Sequence, residues 1–105
     1  MQDKADLSRL CVEAKHPSLP GHFPGRPIVP GVVLLNRVIT RAETWLGQPV
    51  SIAGLQHAKF TQPLLPGEEA TLSLTLTGTA LKFEITRDAD RIAQGSLNLS
   101  RGPIE

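Results

Sequence analysis

Gly21-His22-Phe23-Pro24-Gly25-Arg26-Pro27-Ile28-Val29-Pro30-Gly31-Val32-Val33-Leu34-Leu35-Asn36 is the stretch on which the fold turns, because two kinds of backbone meet inside it. Between His16 and Gly31 stand Pro17, Pro20, Pro24, Pro27 and Pro30, together with Gly21, Gly25 and Gly31. Missing amide donors and restricted φ angles exclude a regular helix or a central strand there. The segment is therefore a loop, and Leu19, Phe23, Ile28 and Val29 favour an ordered one, since a disordered loop has little use for them. Beyond Gly31 the pattern becomes periodic. Val32, Leu35, Ile39, Ala42 and Leu46 recur at spacings of three and four with Gly47 just after, which predicts a helix over Val32–Leu46 of about four turns. Val33, Leu34, Val38 and Trp45 lie outside that stripe. A helix apolar nearly all round is expected to be enclosed, here by a sheet.

Working outward, Leu7–Ala14 alternates loosely, with Leu10, Val12 and Ala14 on one side, and suits a first strand. After Pro49 the chain reads as strands over Val50–Phe60, Ala70–Thr77, Leu81–Arg87 and Arg91–Leu99. Turns fall at Pro63–Gly67, Gly78 and Asp88–Asp90. Strand, long loop, helix and four further strands make an α+β plan in which one helix packs on an antiparallel sheet. No repeat or linker interrupts residues 1–105, so a single domain is expected. The edges of such a sheet need covering, and pairing between two copies would cover them.

Composition narrows the function. The 105 residues are 40% hydrophobic and 20% charged with a formal charge of +1, the balance of an ordinary globular domain without the basic field that gathers nucleic acid. Asp3, Lys4, Asp6 and Arg9 break any apolar core of a secretory signal. The apolar run Ile28–Leu35 falls far short of the roughly 20 residues that span a bilayer. No membrane span and a cytoplasmic location are expected. Cys11 has no partner for an internal disulfide and reads as a small hydrophobe. No trio of His, Cys, Asp or Glu has the spacing of a metal site, so no metal and no cofactor is expected.

Chemistry is concentrated in the loop. An imidazole, with its unperturbed pKa near 6.5, is suited to take a proton at neutral pH, and flanking Pro and Gly hold His22 without regular structure. At the helix start, free amides and the positive end of the dipole await an anion, and Gly31 permits the close approach of a carbonyl. His16 and His57 read as structural or exposed. Arg26, Arg37, Arg41 and Lys59 read as solvated charges, and Leu34, Leu35, Ile39 and Trp45 first of all as core.

The block His22–Gly31 closely resembles the signature of the 3-hydroxyacyl-acyl-carrier-protein dehydratases, in which a His-Phe-Pro-Gly loop runs through a Pro-Gly into a central helix. A second block, Lys59-Phe60-Thr61-Gln62-Pro63-Leu64-Leu65-Pro66-Gly67-Glu68, is similar to that family's Lys-Phe-x-x-Pro-Val-x-Pro-Gly-Asp. The resemblance implies a hotdog fold and elimination of water from a 3-hydroxyacyl thioester carried by an acyl carrier protein. His22 would be the base, the Gly31 amide the carbonyl donor, and Phe23 and Pro30 further substrate-binding residues. It also implies a homodimer or a hotdog heterodimer that brings His22 of one chain towards Asn36 of the other, and a cis peptide between His22 and Phe23. Some of the basic residues would meet the acidic carrier protein near the tunnel mouth.

At one position the pattern breaks. Fourteen residues after the histidine the family carries Glu or Asp, and this chain has Asn36. An amide can hold a hydroxyl or a water but has no proton to give at neutral pH. Glu43, seven residues on and about 10.5 Å along the axis, is too distant to replace the acid. Three readings stay open: a dehydratase in which His22 handles both proton transfers, a hotdog thioesterase, and a non-catalytic hotdog subunit or acyl-binding protein.

Overall fold

The computed structural model describes residues 4–13 and 29–100. Five strands, β1 (Lys4–Leu10), β2 (Ile52–Phe60), β3 (Ala70–Thr77), β4 (Ala80–Arg87) and β5 (Asp90–Leu99), and one helix, α1 (Gly31–Leu46), make up its regular structure. The sheet is antiparallel throughout in the order β1-β3-β4-β5-β2. This is the α+β hotdog plan that the sequence implies. β3 has the predicted bounds, and β4 and β5 each begin one residue earlier than predicted.

Alternation drives the strands to one side of a shared core. Leu72, Leu74 and Leu76 of β3 and Leu81, Phe83 and Ile85 of β4 are buried, and the register sets them directly opposite one another. Ala93 and Leu97 of β5 continue the same face, and α1 lies over it. A strand of period two can bury only alternate residues, so Thr71, Ser73 and Thr75 fall on the opposite face.

Three expectations need correction. The first strand is Lys4–Leu10, not Leu7–Ala14. Leu10 meets Ala70, the first residue of β3, and the ladder runs out there. Val12 is fully buried beyond the strand, its carbonyl accepting the Gly67 amide at 2.8 Å, while Cys11 is only half-buried.

The second correction is the phase of the helix. Val33, Leu34, Val38 and Ala42 are buried, whereas Val32 is 64% exposed and heads an exposed row with Asn36, Thr40 and Thr44. Leu35, Ile39, Trp45 and Leu46 are half-buried on the flanks. Within this chain the sheet therefore covers α1 on one side only. With two apolar residues per turn, period alone allows either set to face inward, and the sheet takes Val33, Leu34 and Val38 from outside the predicted stripe together with Ala42 from within it. The helix ends as expected at Gly47, whose φ of 71° is the left-handed cap conformation and whose amide reaches the Glu43 carbonyl.

Arg41 is a further departure, because it is not a solvated charge. Its guanidinium clasps Asp6 of β1 through Nε to Oδ2 at 2.7 Å and Nη2 to Oδ1 at 2.9 Å. Asp6 pairs in register with Leu74 and so projects from the helix-facing side of the edge strand. The hydrogen bonds from Arg41 hold its carboxyl below the usual carboxylate range.

This packing can be probed at two points. Because Asp6 is depressed, its contribution to stability is complete above the unfolded carboxylate value of about 3.9 and is lost as pH falls through the lower folded value. The difference in Tm between the wild type and Asp6→Asn should therefore be constant near neutrality and shrink below about pH 4. At Gly95 an added Cβ would lie 2.5 Å from the His57 carbonyl oxygen and 2.6 Å from the Phe83 ring. Gly95→Ala should cost about 1–3 kcal/mol by overpacking, read from urea unfolding.

Candidate active site

The entry into α1 is built from three contacts. Pro30, extended at φ −61° and ψ 146°, caps the helix, and its carbonyl accepts the amides of Val33 at 3.0 Å and Leu34 at 3.3 Å. Just before it, the Val29 amide donates to the Leu64 carbonyl at 2.9 Å, which ties the chain to the 61–68 loop. Among the described residues no side chain caps the helix, and no acidic residue stands in its first turn. The amides of Gly31 and Val32 have no partner among the described residues, so the positive end of the helix is left for another acceptor.

That end opens on a groove of about 330 Å³ lined by Val29, Gly31, Leu34, Phe60, Thr61, Gln62, Pro63 and Leu64. The end of the first block, Val29 and Gly31, and residues 60–64 of the second thus meet at one groove, although they lie some thirty residues apart in the chain. The Phe60 ring lies close enough to Gly31 that a Cβ there would approach it to 3.1 Å. The constraint on this glycine is space and not conformation, since its φ is not in the left-handed region.

The outer wall is fastened from β4 and β5. Thr61 donates its hydroxyl to the Arg91 carbonyl at 2.7 Å and its amide to the Ile92 carbonyl at 2.9 Å. Glu68 accepts the Leu65 amide at 2.9 Å and the Arg87 guanidinium at 2.7 Å. The Leu65 amide, with Arg87 adding to it, holds the Glu68 carboxyl below its ordinary range against the opposing effect of burial. In the sequence Glu68 stood only as a match to a family position; the structure gives it the work of closing this turn.

Of the expected site residues, Gly31 lines the groove, and Pro30, the helix cap beside it, is not among the lining residues. Asn36 is not among them either. It is exposed on the row with Val32, its side chain without a hydrogen-bond partner among the described residues. His22 and Phe23, with the peptide between them, and also His16 and Arg26, lie outside the described residues. Glu43 is engaged elsewhere, its Oε2 accepting the Val50 amide at 3.0 Å. Lys59 and His57 are exposed and Arg37 half-buried. Among the described residues no three His, Cys, Asp or Glu side chains converge as a metal site would require.

The family model of the ApeI-like proteins, described as ApeI dehydratase, matches residues 2–96. The chain belongs to the ApeI-like dehydratase family. A 3-hydroxyacyl-acyl-carrier-protein dehydratase FabZ of Herpetosiphon aurantiacus is 30% identical over 98 residues, covering 82% of this chain and 70% of the relative. The FabZ of Chlamydia trachomatis serovar D is 41% identical over 81 residues, 69% of this chain and 53% of its own length. The ApeI-like chain thus spans about half the length of the chlamydial relative. Among solved structures, the dehydratase heterocomplex ApeI:P from Xenorhabdus doucetiae superposes with a TM-score of 0.83 at 26% identity over 96% of both chains. An acyl-CoA hydrolase of Staphylococcus aureus, at TM-score 0.60 and 15% identity, shares the fold. No helix among the described residues of this ApeI-like chain is long and apolar enough to cross a membrane.

The groove makes one prediction about the glycine of the ApeI-like site. Gly31→Ala must displace the Phe60 ring by a few tenths of an ångström, whereas the double variant Gly31→Ala with Phe60→Leu relieves the contact. Tm should fall in the single variant and recover in the double, a coupling measurable as a double-mutant cycle of about 0.5–3 kcal/mol.

Proposed function

We propose that this chain is the dehydratase subunit of a hotdog pair, removing water from a 3-hydroxyacyl thioester held on an acyl carrier protein to give the trans-2-enoyl thioester. One observation carries the reading: the helix start, with the Gly31 and Val32 amides unpartnered among the described residues, opens on a groove lined by Val29 and Gly31 from the first sequence block and by residues 60–64 from the second. A thioester oxygen gains negative charge as its α-proton leaves, and amides already oriented at the groove stabilise that charge without reorganising. Gly31 admits the carbonyl because no Cβ stands in the way.

In this reading His22, placed by its resemblance at the family position, takes the α-proton and returns it to the departing hydroxyl. Asn36 binds the hydroxyl or the released water through its amide. Asn36 lies on the exposed row of α1 and not in its own groove, which supports a site completed by a second hotdog chain. The heterocomplex of the Xenorhabdus protein and the acyl-carrier-protein names of the FabZ relatives support the same choice of partners. We place the chain on a thioester of fatty-acid, polyketide or aryl-polyene assembly in the cytoplasm.

A second reading is favoured by a specific residue. With Asn36 where the family has an acid, the chain alone can be a binding subunit whose active partner supplies the acid. Enoyl-thioester hydration, the reverse reaction, separates the two when followed with the purified chain. For the dehydratase, His22→Ala abolishes turnover and Asn36→Asp raises it, by up to about 10²-fold if a general acid is restored. A wild type and an Asn36→Asp variant that are both inert would put the binding subunit first.

A further inference from the structure

We propose that Arg87, the last residue of β4 and outside both sequence blocks, is a positioning residue that holds the outer wall of the thioester groove. The inference rests on the dehydratase reading above and adds a residue to it. The Arg87 guanidinium donates to the Pro63 carbonyl at 3.0 Å, to Glu68 Oε1 at 2.7 Å and to Gln62 Oε1 at 3.3 Å. Gln62 and Pro63 line the groove, and so does Leu64 beside them.

The linkage does not stop at the wall. The Glu68 oxygen bound by Arg87 also takes the Leu65 amide at 2.9 Å, and Leu64, between the two clamped points, offers its carbonyl to Val29. Val29 leads through Pro30 to the Gly31 amide. One planar cation thus fixes two walls through acceptors on both sides of the 61–68 turn, a task for a rigid fork with several donors and not for a point charge. Arg87 is about four-fifths buried in its side chain and Glu68 about two-thirds, so solvent competes only in part for this contact. Loosening the wall weakens ground-state and transition-state binding alike, an effect that falls on KM more than on kcat.

The test compares wild type, Arg87→Ala, Arg87→Lys and Glu68→Gln in two measurements: hydration of crotonyl-pantetheine and amide hydrogen exchange across 61–68. For Arg87→Ala the expected result is a KM raised about 5- to 20-fold with kcat within about threefold. Exchange should be faster in the 61–68 turn and unchanged in β3 and β4. Arg87→Lys should recover part of the loss, and Glu68→Gln should shift KM in the same direction as Arg87→Ala. Unchanged KM with unchanged loop exchange overturns the proposal. So does a fall in kcat at constant KM that merely tracks a lowered Tm, as loss of folded protein would give. A wild type and an Asn36→Asp variant both without hydration activity refute the dehydratase reading instead, and the clamp then stands or falls on loop exchange and on crotonyl-pantetheine binding by titration calorimetry.

Discussion

Packing one stripe of α1 against the sheet decides nearly everything else in this molecule. Val33, Leu34, Val38 and Ala42 are the residues that lose water to β3, β4 and β5, at a gain of the order of 25 cal/mol for each Å² of apolar surface covered. Once that stripe faces inward, the angular position of every other helical residue is fixed. Gly31 comes to the groove beside Phe60, and Val32, Asn36, Thr40 and Thr44 turn outward. The chemistry of the helix start and the exposure of the asparagine are therefore consequences of a hydrophobic choice made one turn further on.

Polar contacts then lock the edges of that arrangement. Asp6 and Arg41 join an edge strand to the helix from the inner side of the sheet. Arg87, Glu68 and Thr61 fasten the turn that leads from the opposite edge strand, β2, back to β3. Each charged pair is partly shielded, where a bidentate or branched guanidinium contributes more than an exposed ion pair. The register shifts in β2 at Ile52/Gly54 and Leu55/His57 belong to the same edge. They bend a strand whose Leu55 and Phe60 remain exposed, as expected of an edge that must either be covered or be kept from pairing at random.

How much of this was legible depended on the length scale of the signal. Strict alternation in Leu72, Leu74 and Leu76 announces β3 residue by residue, because a period of two admits only one inward face. The helix was visible for the same kind of reason, but its phase was not: Val32 and Val33 are equally apolar, and only the sheet distinguishes them. The end of β1 at Leu10 depended on where β3 begins. Arg41 and Arg87 could not be paired at all, since Asp6 and Glu68 lie 35 and 19 residues away and nothing local tells a paired cation from a solvated one. The groove was half visible: its two walls appeared as sequence blocks, while the hydrogen bonds that bring them together are carried by backbone groups of Val29 and Leu64, which any residue could supply.

The relation between Gly31 and Asn36 carries the argument one step further. Five residues of helix place Asn36 about 7.5 Å along the axis from Gly31 and about 140° around it. With Gly31 facing the groove, Asn36 must face away from it, whatever side chain stands there. Under the proposed function, an acid or an amide at this position acts in a groove other than its own, and that reading calls for a second chain laid against the exposed row of α1. The same geometry decouples the two functions. A subunit can keep its oxyanion donors at Gly31 and lend no acid to its neighbour, or receive an acid from a neighbour while carrying Asn36 itself. A hotdog pair with one ordinary and one asparagine-bearing chain then holds one groove with a complete set of groups and one without. In the proposed hotdog pair Asn36 therefore bears on the partner's groove, and the groove of this chain would be only as complete as the chain that faces it.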